Sequence, residues 1–405
     1  MVDDFVAHWQ VYLTMPVIAA VIGYLTKRAA IEMMFRPLRF VGLKAPWLGW
    51  QGVVPRNSER MIRVSADLLT KRLVDTKEIF ARLDADRLAK EIEGPLLIAV
   101  DEVTREVMEQ YQPGLWEMLP PLAQEMLVKQ VQAGSPVLVK RIMAEIQESI
   151  DEVLDIRQVA VDALHRDKAL LISLVRDISK PEMAFIARCG VYFGLTLGLV
   201  QTVVWAVTKN PLVLPLFGAA IGWFTDWLAI KLVFFPRRPK RIGGLAIQGV
   251  FQRRRDEVAK QYAEIVAREV MTVPNILDAI LRGPRSDRLL AMIHHAVLRT
   301  IDEQAGAAEP VIAVTVGSER YQQMKHTAAD RAMRYLPDTI THATDYATDV
   351  LDIRDTIATR MRRLTRIEYE GLLRPAFRQD EWKLIAVGAV IGAVIGELQV
   401  LLLLH

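Results

Sequence analysis

Cysteine is almost missing from this sequence: its 405 residues contain one, Cys189. A single thiol excludes an internal disulfide framework and any zinc site built on cysteines. The seven histidines are scattered apart from His294 and His295. Adjacent residues on a helix point about 100° apart, a poor geometry for one metal ion. Catalytic signatures are missing too: no HExxH, Walker loop, GxSxG or CxxC occurs. Neither charge dominates, since 51 Lys and Arg face 48 Asp and Glu for a net charge of +3. That balance, with no recognised binding motif, gives no reason to expect nucleic acid. Low-complexity segments and long disordered linkers are absent. No cofactor is expected, and no enzyme class is indicated.

What the chain has is apolar length. Hydrophobic residues make up 52% of it, and the mean hydropathy is +0.19. A spanning helix needs roughly 20 mostly apolar residues to cross a hydrocarbon core about 30 Å thick. Trp9–Thr26 and Cys189–Val207 carry no charge. Pro211–Thr225 is uncharged and continues past Asp226 and Lys231; Leu384–Gly396 is uncharged and continues past Glu397. These runs predict four transmembrane helices, at 6–27, 185–208, 211–235 and 383–404. The first is not read as a signal peptide, because it opens on Asp3 and Asp4 and lacks a small-residue cleavage pattern before Lys27.

Basic residues set the orientation. None lies in residues 1–26, whereas Lys27, Arg28, Arg36, Arg39 and Lys44 follow the first run. Arg176, Lys180 and Arg188 precede or open the second run, Arg237, Arg238, Lys240 and Arg241 follow the third, and Arg374, Arg378 and Lys383 precede the fourth. Only Lys209 lies in the link between the second and third. By the positive-inside rule, regions 28–184 and 236–382 are cytoplasmic, with Ser135 and Gly306 inside and both termini outside.

The chain also repeats itself. Residues 19–37 read AAVIGYLTKRAAIEMMFRP and residues 218–236 read GAAIGWFTDWLAIKLVFFP, with eight of nineteen positions identical. Gln51-Gly52-Val53 returns as Gln248-Gly249-Val250, and VLDIR occurs at Val153–Arg157 and Val350–Arg354. Gly194, Gly198 and Gln201 match Gly392, Gly396 and Gln399. The four offsets lie between 197 and 199 residues. Such collinearity predicts a tandem repeat. Each copy is a helix entering the cytoplasm, a long cytoplasmic region and a helix leaving, related by a pseudo-twofold axis along the membrane normal.

The cytoplasmic regions read as helical, so the fold class is all-α. Ile62, Ala66, Leu69, Leu73 and Phe80 form one amphipathic stripe, echoed by Val258, Tyr262, Val266 and Val270. Val159, Leu164, Leu171, Leu174, Val175 and Ile178 mark a helix leading into the second span. Breaks are expected at Gly94-Pro95, Pro113-Gly114, Pro120-Pro121, Gly134 to Pro136, Gly283-Pro284 and Pro310. The glycine-rich stretch 242–250 is the best place for a turn or short extended piece.

The pattern G-x-x-T-x-x-x-A-I-x-x-x-F-x-P at Gly23–Pro37 and Gly222–Pro236, followed by Gly52-Val53-Val54-Pro55-Arg56, resembles the YheB/YjiN-like bacterial membrane proteins, domain-of-unknown-function family 445. The ending Gly392-x-x-x-Gly396-x-x-Gln399 fits as well. The sequence departs from the family pattern at Lys27 and Asp226, where Asn is usual, and at Gln252, where Pro is usual. The resemblance implies a multi-pass protein of the bacterial inner membrane and implies no activity.

Several residues could carry function. Lys27 and Asp226 occupy equivalent positions with opposite charge, as do Glu32 and Lys231. They form either an inter-repeat polar network or ordinary interfacial ion pairs with snorkelling cations. If the pseudo-axis passes near them, Lys27 should approach Asp226 and Glu32 should approach Lys231. Glu397 lies fourteen residues past Lys383, about 21 Å along a helix. A charged carboxylate there costs on the order of 2–3 kcal/mol, so it must be neutral, hydrated or paired, with Gln399, Gln201 and Thr202 as expected neighbours. It is either a proton or ligand site or a hydrogen-bonded neutral side chain. Gly388, Gly392 and Gly396, with Gly194 and Gly198, form small-residue faces for close helix packing. Arg237, Arg238, Lys240, Arg241, Arg253, Arg254 and Arg255 form a basic segment suited to anionic lipid headgroups or to topology alone. The acidic group Glu148, Asp151, Glu152 and Asp155 reads as a solvated face. The expected partners are membrane lipids and a second copy or an envelope protein. The function expected is a non-enzymatic scaffold or tether, with lipid handling or transport along a polar intramembrane path as the alternative.

Overall fold

The computed structural model describes residues 9–44, 48–242, 245–306, 316–371 and 381–404. These are almost wholly helical and divide into two compact units. Unit 1 comprises residues 1–65, 164–265 and 358–405; unit 2 comprises 66–163 and 266–357.

Four long helices frame unit 1: α1 (Trp9–Phe35), α2 (Lys168–Thr208), α3 (Val213–Phe234) and α4 (Glu381–Leu404). They pack as a ring, α1 on α2, α2 on α3, α3 on α4 and α4 on α1. By length and composition α2, α3 and α4 are long and apolar enough to cross a membrane. The second predicted span is only the end of a much longer element. α2 has 41 residues, about 60 Å at 1.5 Å each. It absorbs the approach helix carrying Leu171, Leu174, Val175 and Ile178. Asp167 starts it by accepting from the Ala169 and Leu170 amides at 2.8 and 3.2 Å. Lys209, left-handed at φ 48°, ends it and turns the chain directly into α3.

The same succession follows α1 and α3. A cis peptide, Arg36–Pro37 or Phe235–Pro236, leads to a two-stranded antiparallel ribbon. The ribbons pair Val41–Lys44 with Leu48–Trp50 and Lys240–Ile242 with Leu245–Ile247. The second falls where the glycine-rich stretch predicted a turn. The first modifies the all-α expectation; its strands are too short to leave an alternating pattern. After a short helix, Val53–Arg56 or Val250–Arg253, come helices Ser58–Leu68 and Arg255–Ile265, each ending in a π-helical turn, Leu69–Leu73 or Val266–Val270. The predicted stripe through Phe80 is therefore interrupted. The chain leaves the helix at Val74, and Asp75 caps a new one at Thr76–Phe80. Ile62, Ala66, Leu69 and Leu73 are nevertheless all buried.

Unit 2 is a helical packing of its own. Helix Glu93–Tyr111 lies on Ser318–Thr341, where Tyr111 Oη and Thr327 Oγ1 are 2.8 Å apart. Helix Ser135–Val153 lies on Ser286–Ala305, where Arg141 clasps both carboxylate oxygens of Glu303 at 2.7–2.8 Å. Expected breaks become helix starts: proline opens Pro113–Met118 and Pro121–Gln132, and Gly283-Pro284 separates Val273–Arg282 from Ser286–Ala305. Pro310 lies outside the described residues.

Candidate functional site

The ring of unit 1 is held by glycine. A methyl group added at Gly23 would sit 2.3 Å from the Gly190 carbonyl oxygen, and one at Gly222 would sit 2.1 Å from that of Gly388. Gly194 meets Ala19, Gly198 meets Pro16 and Ala19, Gly392 meets Gly218, and Gly396 meets Leu214 and Pro215. Backbones therefore touch along α1/α2 and along α3/α4, which brings polar side chains of opposite helices together.

One diagonal of the ring is bridged by charge. Lys27 of α1, 2% exposed, pairs with the carboxylate of Asp226 of α3, 6% exposed. Its Nζ also donates to Thr225 Oγ1 at 2.7 Å. Gly388 clears the space for the carboxylate, since a Cβ there would overlap Asp226 Oδ2. Gly190 does the same beside the Lys27 stem. The other diagonal is bridged by amides: Gln201 Nε2 of α2 donates to Gln399 Oε1 of α4 at 3.2 Å, both side chains buried. Along α2 the two levels are eleven residues apart, counting from Gly190, or about 16 Å. Met15, Leu214 and Val400 form an apolar cluster, with Trp205 packed against it.

The second predicted charge pair does not form. Glu32 pairs with Arg176 of α2 at 2.9 Å, and Lys231 lies over the Trp227 and Phe235 rings. Glu32 is half-buried and Lys231 exposed, so neither is enclosed in the ring as Lys27 and Asp226 are. Glu397 does not join its expected neighbours either. It sits on the exposed face of α4, while Gln399 turns inward to Gln201 and Thr202 donates back to the Gly198 carbonyl at 2.8 Å. Residues 397 and 399 are about 200° apart on a helix, so they cannot share a partner.

The basic segment divides. Arg254 is drawn into the protein, its Nη1 donating to both oxygens of buried Glu182 at 2.8 and 2.9 Å. Its hydrogen bonds to Glu257 and then to Glu182 hold its guanidinium pKa above the usual arginine range. Arg237 Nε donates to buried Glu370 at 2.6 Å, and Arg255 donates to the Leu364 carbonyl and stacks on Tyr369. Arg238 and Arg253 are exposed. The side chains of Lys240 and Arg241 lie outside the described residues.

Sequence reasoning missed the Glu182 and Glu370 partners. For Glu182 the signal was an acidic residue beside the apolar run of α2; Glu370 stands among Arg366, Glu368 and Tyr369 and gave none. In unit 2 the acidic group is ion-paired: Asp151 with Lys77, Glu152 with Arg288 and Asp155 with Arg285. His294 stacks on His326 with centroids 5.3 Å apart. Among the described residues no three His, Cys, Asp or Glu side chains are arranged to hold a metal ion.

No protein-family model matches the chain, and no solved structure does. It is 32% identical over 104 residues to a UPF0754 membrane protein of Nostoc sp. strain PCC 7120, covering 24% of each chain. It is 42% identical over 62 residues to a UPF0754 membrane protein of Bacillus thuringiensis strain Al Hakam, covering 15% of this chain and 16% of that one. A UPF0754 membrane protein of Nostoc punctiforme is 30% identical over 110 residues, covering 25% of this chain and 26% of that one. The matches thus span about a quarter or less of these relatives. Together with the three long apolar helices, they mark this chain as a helical membrane protein similar to bacterial membrane proteins whose names carry no activity.

Proposed function

We propose that the chain is a four-span, non-enzymatic scaffold or tether of the bacterial inner membrane, built from a tandem duplication of the YheB/YjiN-like type. In this reading both long regions are cytoplasmic and both termini lie outside. Two features support four spans and the duplication. Leu13, Val17, Val21 and Leu25 expose an apolar stripe on the outside of α1, as Tyr192, Leu199 and Val203 do on α2. The polar diagonals also join repeat equivalents, Gln201 to its twin Gln399 and Lys27 to its twin Asp226.

The scaffold reading rests above all on unit 2. Leu115 and Met118 on helix Pro113–Met118, and Leu122 and Met126 on the next helix, Pro121–Gln132, are all exposed, Met118 by 78% and Leu122 by 70%. A run of large apolar side chains in water marks a surface meant to be covered. Methionine adapts to varied partners. The test is a photoreactive residue at Met118 or Leu122 in cells, with exposed Lys90 as control. A discrete protein adduct at the stripe and none at Lys90 is expected. Adducts to lipid would favour the lipid-handling alternative, and equal labelling at Lys90 would sink both.

A further inference from the structure

We propose that this membrane protein pairs with a second copy of itself along α4, through Glu397. The proposal rests on the reading of α4 as a membrane span. Glu397 stands fourteen residues after Lys383 and seven before Leu404, about 21 and 10 Å along the axis. That depth falls within the hydrocarbon. Yet the side chain is exposed, on the face of α4 turned away from Gly388, Gly392 and Gly396. Among the described residues no ion pair or hydrogen bond reaches it.

Lipid tails offer a carboxyl group nothing, and no described residue of the chain pairs with it; the partner we assign comes from another chain. Three observations select a copy of the same chain. The carboxyl stands in a seam: Val390, Val394, Glu397 and Leu401 are spaced 4, 3 and 4 and lie within about 60° of each other on the wheel. That is the spacing by which two helices interlock. Next, a neutral carboxylic acid is donor and acceptor at once. Across a twofold axis it therefore meets its own complement, which a lone cation or amide donor on a foreign helix would not supply equally in both directions. Finally, the carboxyl is peculiar to this face. The repeat equivalent of Glu397 is Leu199, on the exposed face of α2. The first repeat thus has the apolar wall without the polar clasp, which makes one closed twofold pair rather than an open array.

The experiment is disulfide cross-linking of the full chain in native membranes, with Cys189→Ser as background and carbonate extraction to verify insertion. A cysteine at Leu401 should yield covalent dimer. A cysteine at Val203, its exposed counterpart on α2, should not. Adding Glu397→Leu should lower the dimer yield at Leu401 about tenfold, equivalent to about 1.4 kcal/mol. Glu397→Gln, which still donates and accepts, should retain most of it. Equal yields at Leu401 and Val203, no effect of Glu397→Leu, or only monomer at Leu401 would each overturn the pairing. Loss of the protein from carbonate-washed membranes would instead mean that α4 does not span.

Discussion

At the scale of the residue, the Lys27–Asp226 pair dominates. Both side chains are buried between glycines, so removing one leaves the other charge buried without its counter-charge. Breaking a buried pair typically costs about 3–5 kcal/mol. Lys27→Ala or Asp226→Ala should therefore lower thermal stability in detergent and abundance in the membrane. Lys27→Asp combined with Asp226→Lys should restore most of the loss. The reason is local symmetry: Lys27 uses Thr225, and a lysine at 226 would find Thr26 in the equivalent place. If the double exchange were as unstable as the single alanines, the pair would not be a mutual one. The sequence made the opposite signs at equivalent positions visible, but not the contact. Glu32 and Lys231 had the same credentials and do not meet. Equivalence under a twofold axis says nothing about distance from it, and the distance is set by how closely Gly190 and Gly388 let the helices approach.

At the scale of the element, glycine decides. Gly222→Ala would drive a methyl group to 2.1 Å from a carbonyl oxygen of α4, which only separation of α3 from α4 can relieve. Overpacking of this kind costs about 1–3 kcal/mol or more. Gly94→Ala is the contrasting case. It lies in the first turn of Glu93–Tyr111 with nothing within 4 Å of the added methyl, so helix propensity alone acts, worth up to about 1 kcal/mol in favour of alanine. Melting of the purified variants should shift in opposite directions; a neutral Gly222→Ala would refute the close packing. Apolar runs and glycine spacing were readable because period and length survive in any sequence. The merger of the approach helix with the second span was not, since Lys180 and Pro181 look like a boundary, yet the helix runs on through the one backbone hydrogen bond that Pro181 cannot donate. The π turns were equally silent. Each inserts one residue while Leu69, Leu73, Val266 and Val270 stay buried, so the apolar spacing gives no sign of it.

At the scale of the whole molecule, the open issue is the number of crossings, and α1 decides it. Lys27 and Arg28 lie within α1, whereas α2, α3 and α4 meet the length and composition required for crossing. Three crossings and four crossings agree on most of the map. If α2, α3 and α4 all cross, Ser135 and Gly306 share one side in either case and the C-terminus takes the other. Only the N-terminus differs. With four crossings it is outside with His405; with three it is inside with Ser135. The burial of Lys27 against Asp226 removes the main objection to α1, because a paired lysine inside the bundle adds far less to the cost of insertion than one facing lipid. The lack of Lys or Arg in residues 1–26, against five between Lys27 and Lys44, then predicts an outward N-terminus by the positive-inside rule. Fusions of a reporter active only in the periplasm should be bright at both termini and dark after Ser135 and Gly306. A dark N-terminal fusion beside a bright C-terminal one would reduce the count to three and place α1 on the membrane rather than through it.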